Sequence, residues 1–238
     1  MGKYFGTDGF RGEAGKTLTS EHAYKIGRFL GWYYSDGGKK RVKAVIGKDT
    51  RRSSYMFEYA IVAGLTASGG DAYMLHVTTT PSVSYVVAGG DFDCGVMISA
   101  SHNSFEDNGI KLVNRRGEKI DDALIEKIEA YIDGNYGDLG LESDIPFATG
   151  ESLGQIVDYA AGRNRYIGYL ISLSKYSFRP FRIGLDCANG SAWMIAPSVF
   201  EALGAKVSVI NASPDGLNIN RGAGSTHIEA LEIGRAHV

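Results

Sequence analysis

The stretch CGVMISASHNSFEDNGIKL, residues 94–112, decides the fold predicted for this chain. Its apolar run Val96–Ile98 has the length and composition of a buried strand, and it leads into a polar turn that contains Ser101. Because α/β proteins place reactive groups at the carboxyl ends of strands, Ser101 is a candidate nucleophile or phosphoryl carrier. An ordinary Ser/Asn-rich turn that closes a strand is the alternative. The neighbouring polar groups are His102, Asn103 and, ten residues after Ser101, Lys111.

The composition is that of an ordinary globular protein, with 44% hydrophobic and 22% charged residues among 238. This length predicts one or two domains with a sizeable core. The formal net charge of −2 argues against nucleic acid or an anionic membrane as a partner. No run of about 18 apolar residues predicts a membrane span, and no basic-then-apolar signal region is present, so the cytoplasm is the expected compartment. Composition does not indicate the oligomeric state.

Two cysteines, Cys94 and Cys187, lie far apart in the sequence. Both fall in apolar, strand-like segments, which indicates buried thiols rather than a disulfide, a metal pair or a redox site.

Strand and helix patterns alternate along the first part of the chain. A helix is predicted after the N-cap residue Thr19, and a buried strand at residues 42–46. Residues 109–120 have the pattern of a β-hairpin with a turn at 114–117. We therefore expect an α/β layered domain with a mixed sheet.

A loop dense in charged and hydroxyl groups, GKDTRRSS at residues 47–54, follows the predicted strand at 42–46. Such groups bind anions or pair with carboxylates. The alternative is a helix-capping turn with solvated charges, in which Ser53 or Ser54 caps the next helix.

Apolar periodicity fades between residues 134 and 151, where Gly, Asp, Asn and Ser collect. We accordingly predict a first domain at 1–150 and a second unit of similar style at 151–232. After residue 210 no further strand is predicted, and a domain of this style needs more strands, so we expect the second domain to be incomplete. The last residues, 233–238, are expected to be a non-native tail, because they match one reading frame of a common sequencing adapter.

Several motifs together resemble the α-D-phosphohexomutase family, and the resemblance covers residues 2 to about 231. The combination of SASHN with DNGIK is the specific part of this resemblance. Within the family, the closest match is the subfamily that acts on glucosamine phosphates. The motifs are FGTDGFRG (5–12), GKDTR (47–51), SASHN (99–103), DNGIK (107–111), DCANG (186–190), NIN (218–220) and GSTH (224–227).

The resemblance implies an α/β/α layered first domain of the phosphohexomutase type and a serine, Ser101, that carries a phosphoryl group. In the family's cycle, phosphoserine phosphorylates C1 of glucosamine 6-phosphate, and the resulting bisphosphate returns its other phosphoryl group. The net product, glucosamine 1-phosphate, leads to UDP-N-acetylglucosamine and the cell wall. The partner is thus a small-molecule sugar phosphate. The residues that bind the sugar are unknown from this sequence.

The resemblance also implies roles for individual residues. Arg11 and Lys111 would be the cations that face the phosphoserine. His102 and Asn103 would orient the loop, and His102 is either a proton acceptor or the donor of a structural hydrogen bond. Asp8, Lys48 and Arg51 are candidates for a supporting role around these residues. In the family Mg²⁺ takes one ligand from the phosphoserine, here Ser101, and three from an aspartate-rich loop that has no counterpart in this chain. We therefore expect this chain to be inactive as a mutase on its own.

Two alternatives remain open on the sequence. A phosphoglucomutase or phosphomannomutase would keep the fold and change the sugar, and a non-catalytic scaffold would use the polar strand ends as capping turns alone. A Ser-His-Asp hydrolase is disfavoured, because the side chains of adjacent Ser101 and His102 rarely face each other.

Overall fold

The computed structural model describes residues 2–36 and 38–235, with the backbone alone for 233–235. The strands are β1 (Phe5–Gly6), β2 (Gly9–Glu13), β3 (Lys43–Lys48), β4 (Asp71–Val77), β5 (Cys94–Ile98), β6 (Asp107–Asn114), β7 (Ile156–Asp158), β8 (Arg182–Asp186) and β9 (Lys206–Ile210). The α-helices are α1 (Ser20–Tyr34), α2 (Arg52–Ala67), α3 (Thr80–Ala88), α4 (Asp122–Ile132), α5 (Ala160–Ser172), α6 (Ile195–Ala202) and α7 (Glu229–Arg235). Short 3₁₀ turns lie at Tyr136–Leu139, Gly150–Ser152 and Gly224–Thr226.

The larger of the two sheets has seven strands in the order β1-β2-β6-β5-β3-β4-β7. Strands β5, β3, β4 and β7 run parallel to one another, whereas β6, β2 and β1 join through antiparallel pairs. The mixed sheet predicted from the alternating pattern is thus confirmed. Its parallel half places the carboxyl ends of β3, β4 and β5 along one edge.

Both faces of this sheet are covered. In β3, Ala44 and Ile46 belong to one buried cluster together with residues of α1, α2 and α4, whereas Val45 belongs to a second cluster with residues of α3. This alternation follows from the two-residue period of a strand. Every residue of β5 is buried, as its continuous apolar run predicted. The architecture is therefore three layers, α/β/α.

Helices α1 and α2 approach each other through two glycines. A Cβ atom on Gly27 of α1 would collide with the carbonyl oxygen of Ile61, and one on Gly64 of α2 would collide with the carbonyl oxygen of Tyr24. The contact is reciprocal, so backbone packs on backbone at this crossing. The start of α1 is fixed by its predicted cap, since the Thr19 hydroxyl accepts a hydrogen bond from the His22 amide at 3.3 Å.

The second sheet contains β8 and β9, which pair in parallel with α6 between them in the chain. We call residues 182–227, which hold these elements and the segment after β9, the small unit. Helix α5 bridges the two sheets, because Tyr166 packs with Tyr85 of α3 on one side and with Ile195 of α6 on the other.

The domain limits of 1–150 and 151–232 stay a prediction. One observation bears on them: β7, at Ile156–Asp158, is an edge strand of the large sheet although it follows residue 150. Its three partly or fully exposed residues give no apolar run, which is why the sequence did not indicate a strand there. Of the predicted tail, residues 236–238 lie outside the described residues and 233–235 are described by backbone alone, so that prediction stands as it was.

The hairpin predicted within 109–120 is present in a short form. The Gly117 amide closes the turn onto the Asn114 carbonyl, the Asn114 and Ile120 amides donate to the carbonyls of Glu118 and Leu112, and Val113 and Lys119 form an antiparallel bridge. Its first strand is part of β6, which also pairs with β5 and β2.

One local expectation was wrong. The cap of α2 is Arg51, without a side-chain cap, rather than Ser53 or Ser54. Ser54 lies inside the helix, where its hydroxyl donates to Asp49.

Within the described ranges, no helix combines the length and the apolar character needed to cross a membrane.

Gly27→Ala tests the helix contact. We expect this substitution to lower the free energy of unfolding by about 1–3 kcal/mol, because the added methyl group overpacks a backbone contact. Urea unfolding followed by circular dichroism measures the change.

Gly168→Ala is the matched control, since a Cβ at Gly168 in the interior of α5 meets nothing within 4 Å. For this control we expect the free energy of unfolding to rise by about 0.5–1 kcal/mol, because alanine has a better helix propensity than glycine. Equal effects of the two substitutions would contradict the close helix contact.

Candidate functional site

The polar segments that follow β3, β4 and β5 meet at one edge of the large sheet. The backbone amide of Asp49 donates to the carbonyl of Ile98 at 2.9 Å, and the backbone amide of Thr78 donates to the carbonyl of Lys48 at 2.9 Å. These bonds continue the parallel pairing past the strand ends. The segment between β5 and β6, residues 99–106, which we call the serine loop, is thereby fixed beside the charged segment after β3.

Ser101 occupies an exposed turn in the serine loop with a left-handed backbone, φ +58°. Its amide donates to the Ser99 hydroxyl at 3.1 Å, and the Asn103 amide closes the turn onto the Ala100 carbonyl at 3.2 Å. A non-glycine residue in this conformation costs on the order of 1 kcal/mol and persists where its surroundings hold it. The turn leaves the Ser101 hydroxyl without a hydrogen-bond partner among the described residues.

Arg51 binds the backbone of the serine loop. Its guanidinium donates to the carbonyl of Asn103 at 2.7 Å and to that of Ser101 at 3.3 Å. The same guanidinium forms an ion pair with Asp49, and the two side chains are 0% and 1% exposed. The second oxygen of that carboxylate accepts from the Ser54 hydroxyl at 2.6 Å. A buried cation of this kind is stable because every side of it has a partner.

The anion-binding interpretation of residues 47–54 finds no support in these contacts. Lys48 is also buried and pairs with Glu58 at 2.5 Å, with 2% and 3% of their side chains exposed. Both Lys48 and Arg51 are thus neutralised inside the protein. Arg51 fixes the backbone of the serine loop, and Lys48 joins the end of β3 to Glu58 of α2.

Arg11 and Lys111 lie on the neighbouring strands β2 and β6. Arg11 is paired with Gly109, two residues before Lys111, and a Cβ on Gly109 would meet the carbonyl of Ser99 at 2.9 Å and Cγ of Arg11 at 3.1 Å. The Arg11 side chain therefore lies beside the base of the serine loop. It forms an ion pair with Asp8 at 3.0 Å.

Lys111 is half-buried beside these charges. Burial lowers the pKa of its amine, and the positive charge of Arg11 lowers it further. The carboxylates of Asp8 and Asp49 oppose this shift. The structure thus places Arg11 and Lys111 on neighbouring strands beside the serine loop, and their roles toward a phosphoserine stay a prediction.

His102 and Asn103 have different surroundings. His102 is exposed, and its ring makes no hydrogen bond within the described part of the chain, so the structural hydrogen bond proposed as one alternative is not observed. Asn103 is partly buried, and its amide donates to Asp107 at 2.9 Å. Asn103 therefore contributes to the rigidity of the loop, and the His102 ring is free to contact a ligand.

The small unit closes one side of this site around a cavity of about 300 Å³. The Asn220 amide donates to the carbonyls of both Ser101 and Asn103, at 2.9 Å in each case. Asn220 was noted in the sequence only as part of a motif, and its contact with Ser101 was missed. The cavity lining includes Thr79, Ser99, Ser101, Cys187, Ser191 and Asn220.

Both cysteines are buried and unpaired, as predicted. Burial raises the pKa of the Cys187 thiol, and the neighbouring charge of Asp186 raises it further. Cys187 is therefore a neutral part of the cavity wall.

Comparisons with known proteins agree with this geometry. A family model described as phosphoglucomutase/phosphomannomutase, alpha/beta/alpha domain I, matches residues 2–137. A curated relative named phosphoglucosamine mutase, from Lachnospira eligens, is 64% identical over 241 residues, which cover 100% of this chain and 52% of the relative. A second of the same name, from Lachnoclostridium phytofermentans, is 64% identical over 232 residues, with 98% and 50% covered. The chain thus spans about half the length of these relatives.

A solved structure has the same fold. It is a phosphoglucomutase/phosphomannomutase family protein from Burkholderia thailandensis, which matches with a TM-score of 0.77 at 24% identity and covers 98% of this chain and 49% of that chain. The fold class predicted from the sequence is confirmed by this likeness and by the family match. The chain therefore belongs to the phosphoglucomutase/phosphomannomutase family and contains its α/β/α domain I.

Proposed function

We propose that Ser101 is the phosphoryl carrier of a phosphoglucosamine mutase, an isomerase that interconverts glucosamine 6-phosphate and glucosamine 1-phosphate. The observation that carries this proposal is the Ser101 turn, in which two side chains fix the backbone while the hydroxyl faces solvent. The shared name of the relatives at 64% identity supports the choice of glucosamine.

The proposed reaction transfers one phosphoryl group out and one back. The bond between Ser101 Oγ and phosphorus breaks as the C1 oxygen of glucosamine 6-phosphate bonds to phosphorus, and the C1 hydroxyl proton passes to a base. The resulting 1,6-bisphosphate then returns its 6-phosphoryl group to Ser101 Oγ, and O6 takes up a proton. Atoms and charge balance, and no phosphate is consumed. A serine phosphoester suits this role because it is stable alone and transferable once its charge is neutralised.

Arg11 and Lys111 are proposed to stabilise the phosphoryl group on Ser101. A phosphoserine carries a charge of about −1.5 to −2 at neutral pH. The two cations lie beside the serine loop, and the positive charge of Arg11 disfavours that of Lys111, an effect that Asp8 and Asp49 oppose. A developing phosphoryl charge relieves this repulsion, so the arrangement stabilises a loose transition state.

His102 is the proposed proton acceptor, and Asn103 the residue that keeps the loop in shape. The exposed His102 ring has both nitrogens available for the hydroxyl of a bound sugar. Asn103 is tied by its side chain to Asp107 and by its carbonyl to Arg51.

Mg²⁺ is the proposed cofactor, with phosphorylated Ser101 as one ligand. Among the described residues, no group of three or more His, Cys, Asp or Glu side chains is placed to hold a metal ion. The residues present therefore do not form a magnesium site by themselves, and none of the steps above is assigned to the metal.

Two other functions predict different results. A phosphoglucomutase or phosphomannomutase would use the same Ser101 chemistry with glucose or mannose phosphates. A scaffold without catalytic function would leave Ser101 unmodified.

Incubation with glucosamine 1,6-bisphosphate and Mg²⁺ tests the proposed role of Ser101. We expect the chain to gain the mass of one phosphoryl group, and fragmentation to place it on Ser101, because that hydroxyl is exposed beside two cations. Intact-protein mass spectrometry is the measurement.

Ser101→Ala should abolish the modification, whereas Ser104→Ala, which removes an exposed hydroxyl of the same loop, should leave it unchanged. A parallel incubation with glucose or mannose bisphosphate compares the sugars. No added mass, or a phosphoryl group on another residue, would contradict the proposal.

We expect no isomerisation of glucosamine 6-phosphate by the 238-residue chain alone. Each turnover needs two phosphoryl transfers, and among the described residues no group is placed to hold the metal ion that would speed them, whereas a single slow transfer suffices to phosphorylate Ser101. Formation of glucosamine 1-phosphate, followed by ³¹P NMR, would show this expectation to be wrong.

The lowered pKa of Lys111 predicts a pH dependence of stability. Between that pKa and the ordinary lysine value of 10.5, the unfolded chain holds a proton that the folded chain has released. The free energy of unfolding of the wild type should therefore rise with pH in this window relative to Lys111→Met.

Urea unfolding at a series of pH values measures this difference. Lys175→Met, at an exposed position, controls for the loss of a lysine as such. If the free energy of unfolding changed with pH in the same way for the wild type and for Lys111→Met, the result would contradict the buried position of the amine.

A further inference from the structure

The contact between Asn220 and the serine loop joins two parts of the chain that are 119 residues apart. Two carbonyl oxygens of the loop, those of Ser101 and Asn103, face the same side chain. Because a carbonyl oxygen only accepts hydrogen bonds, the amide nitrogen of Asn220 must be the atom that faces them. Its two bonds of 2.9 Å are therefore fixed in direction as well as in distance.

Asn220 is itself held firmly in the small unit. Its backbone is left-handed, φ +59°, and its backbone amide donates to the carbonyl of Ala188 at 2.9 Å. Ala188 lies in the loop after β8, and its amide donates to Asp186 at 2.8 Å. The second oxygen of Asp186 accepts from the amide of Gly224 at 2.8 Å. The position of the Asn220 side chain therefore follows the position of the small unit.

Other bonds tie the two units together close to the same place. The Thr50 hydroxyl donates to the carbonyl of Asn189 at 2.5 Å, and the backbone amide of Arg52 donates to the carbonyl of Gly216 at 3.0 Å. Neither reaches the serine loop. Among the described hydrogen bonds of the small unit, those of Asn220 are the ones that end on Ser101 and Asn103.

Arg51 and Asn220 together form a two-sided clamp on the serine loop. Arg51 donates to the carbonyls of Ser101 and Asn103 from the end of β3 in the large sheet, and Asn220 donates to the same two carbonyls from the small unit. A carbonyl oxygen has two lone pairs, so both donors can bind at once. The clamp offsets the cost of the left-handed backbone at Ser101.

We propose that Asn220 is a positioning residue for the phosphoryl carrier, one that fixes Ser101 only while the small unit is docked against the serine loop. Its consequence for phosphoryl transfer rests on the proposed function above. Its consequence for the loop itself does not, because the hydrogen bonds exist without a ligand. A shift of the small unit would release one side of the clamp and loosen the Ser101 turn.

Two substitutions remove the amide donor in different ways. Asn220→Asp keeps the shape of the side chain and replaces the donor with an acceptor that repels the two carbonyls. Asn220→Gly removes the side chain and tolerates φ +59° without strain, so it separates loss of the amide from backbone strain. Asn218→Asp is the matched control, because the amide of Asn218 donates to Ser213 at 3.0 Å within the small unit and not to the serine loop.

Hydrogen exchange of the Ser101 and Asn103 amides in the unphosphorylated chain is the first measurement. We expect exchange on the order of tenfold faster in both Asn220 variants, since each loses two bonds to the loop, and no change in Asn218→Asp. Thermal unfolding of all variants is recorded beside it. An unfolding temperature close to that of the control shows that the effect on the loop is local and not a general loss of structure.

The rate of Ser101 phosphorylation by glucosamine 1,6-bisphosphate is the second measurement. We expect it to fall in both Asn220 variants and to match the wild type in Asn218→Asp. Unchanged exchange at Ser101 and Asn103 in the Asn220 variants would overturn the proposal, as would equal effects of Asn218→Asp. If the wild-type chain takes up no phosphoryl group, the proposed function fails while the exchange result still decides the role of Asn220.

Discussion

Arg51 and Asp49 form an ion pair at the end of β3 in which both side chains are excluded from solvent. A buried guanidinium is tolerable only when its charge and its donors are all matched, and here a carboxylate takes one side and loop carbonyls take the other. The carboxylate is held in turn by the hydroxyl of Ser54, which also accepts from Asn108 at the start of β6. Movement of the serine loop would therefore leave buried N–H donors of Arg51 without acceptors.

This arrangement explains how an exposed serine acquires a fixed position. Ser101 lies at the surface, where a loop would ordinarily sample many conformations. Its carbonyl, however, is bound from the large sheet by Arg51 and from the small unit by Asn220. The backbone is thus held from the protein side while the hydroxyl remains open to a ligand. Rigid support of a reactive group is what the positioning of a phosphoryl group requires.

The parts of the structure that could be predicted are those that a local sequence pattern determines. Thr19 caps α1 because its hydroxyl reaches the amide of His22 three residues later, and β5 is buried because its residues are apolar without interruption. The turn at 114–117 is also local, since the Gly117 amide closes it onto the Asn114 carbonyl. The pairing of β6 with β5 and β2, in contrast, depends on the whole sheet and is not written in a local pattern. Strand β7 was missed because three residues at a sheet edge need no apolar pattern.

The sequence by itself determined the alternation of strands and helices, the position of Ser101 after a buried strand, and the presence of Arg11 and Lys111 as its candidate cations. Only the tertiary structure decided which way the charged side chains turn. The sequence placed Lys48 and Arg51 in a loop whose groups either bind anions or pair with carboxylates, and in the structure Glu58 and Asp49 neutralise them inside the protein. Asn220 stood in the sequence only as part of a motif, yet it binds the loop of Ser101, which lies 119 residues away in the chain. Such contacts depend on how two sheets pack, and local periodicity carries no information about that.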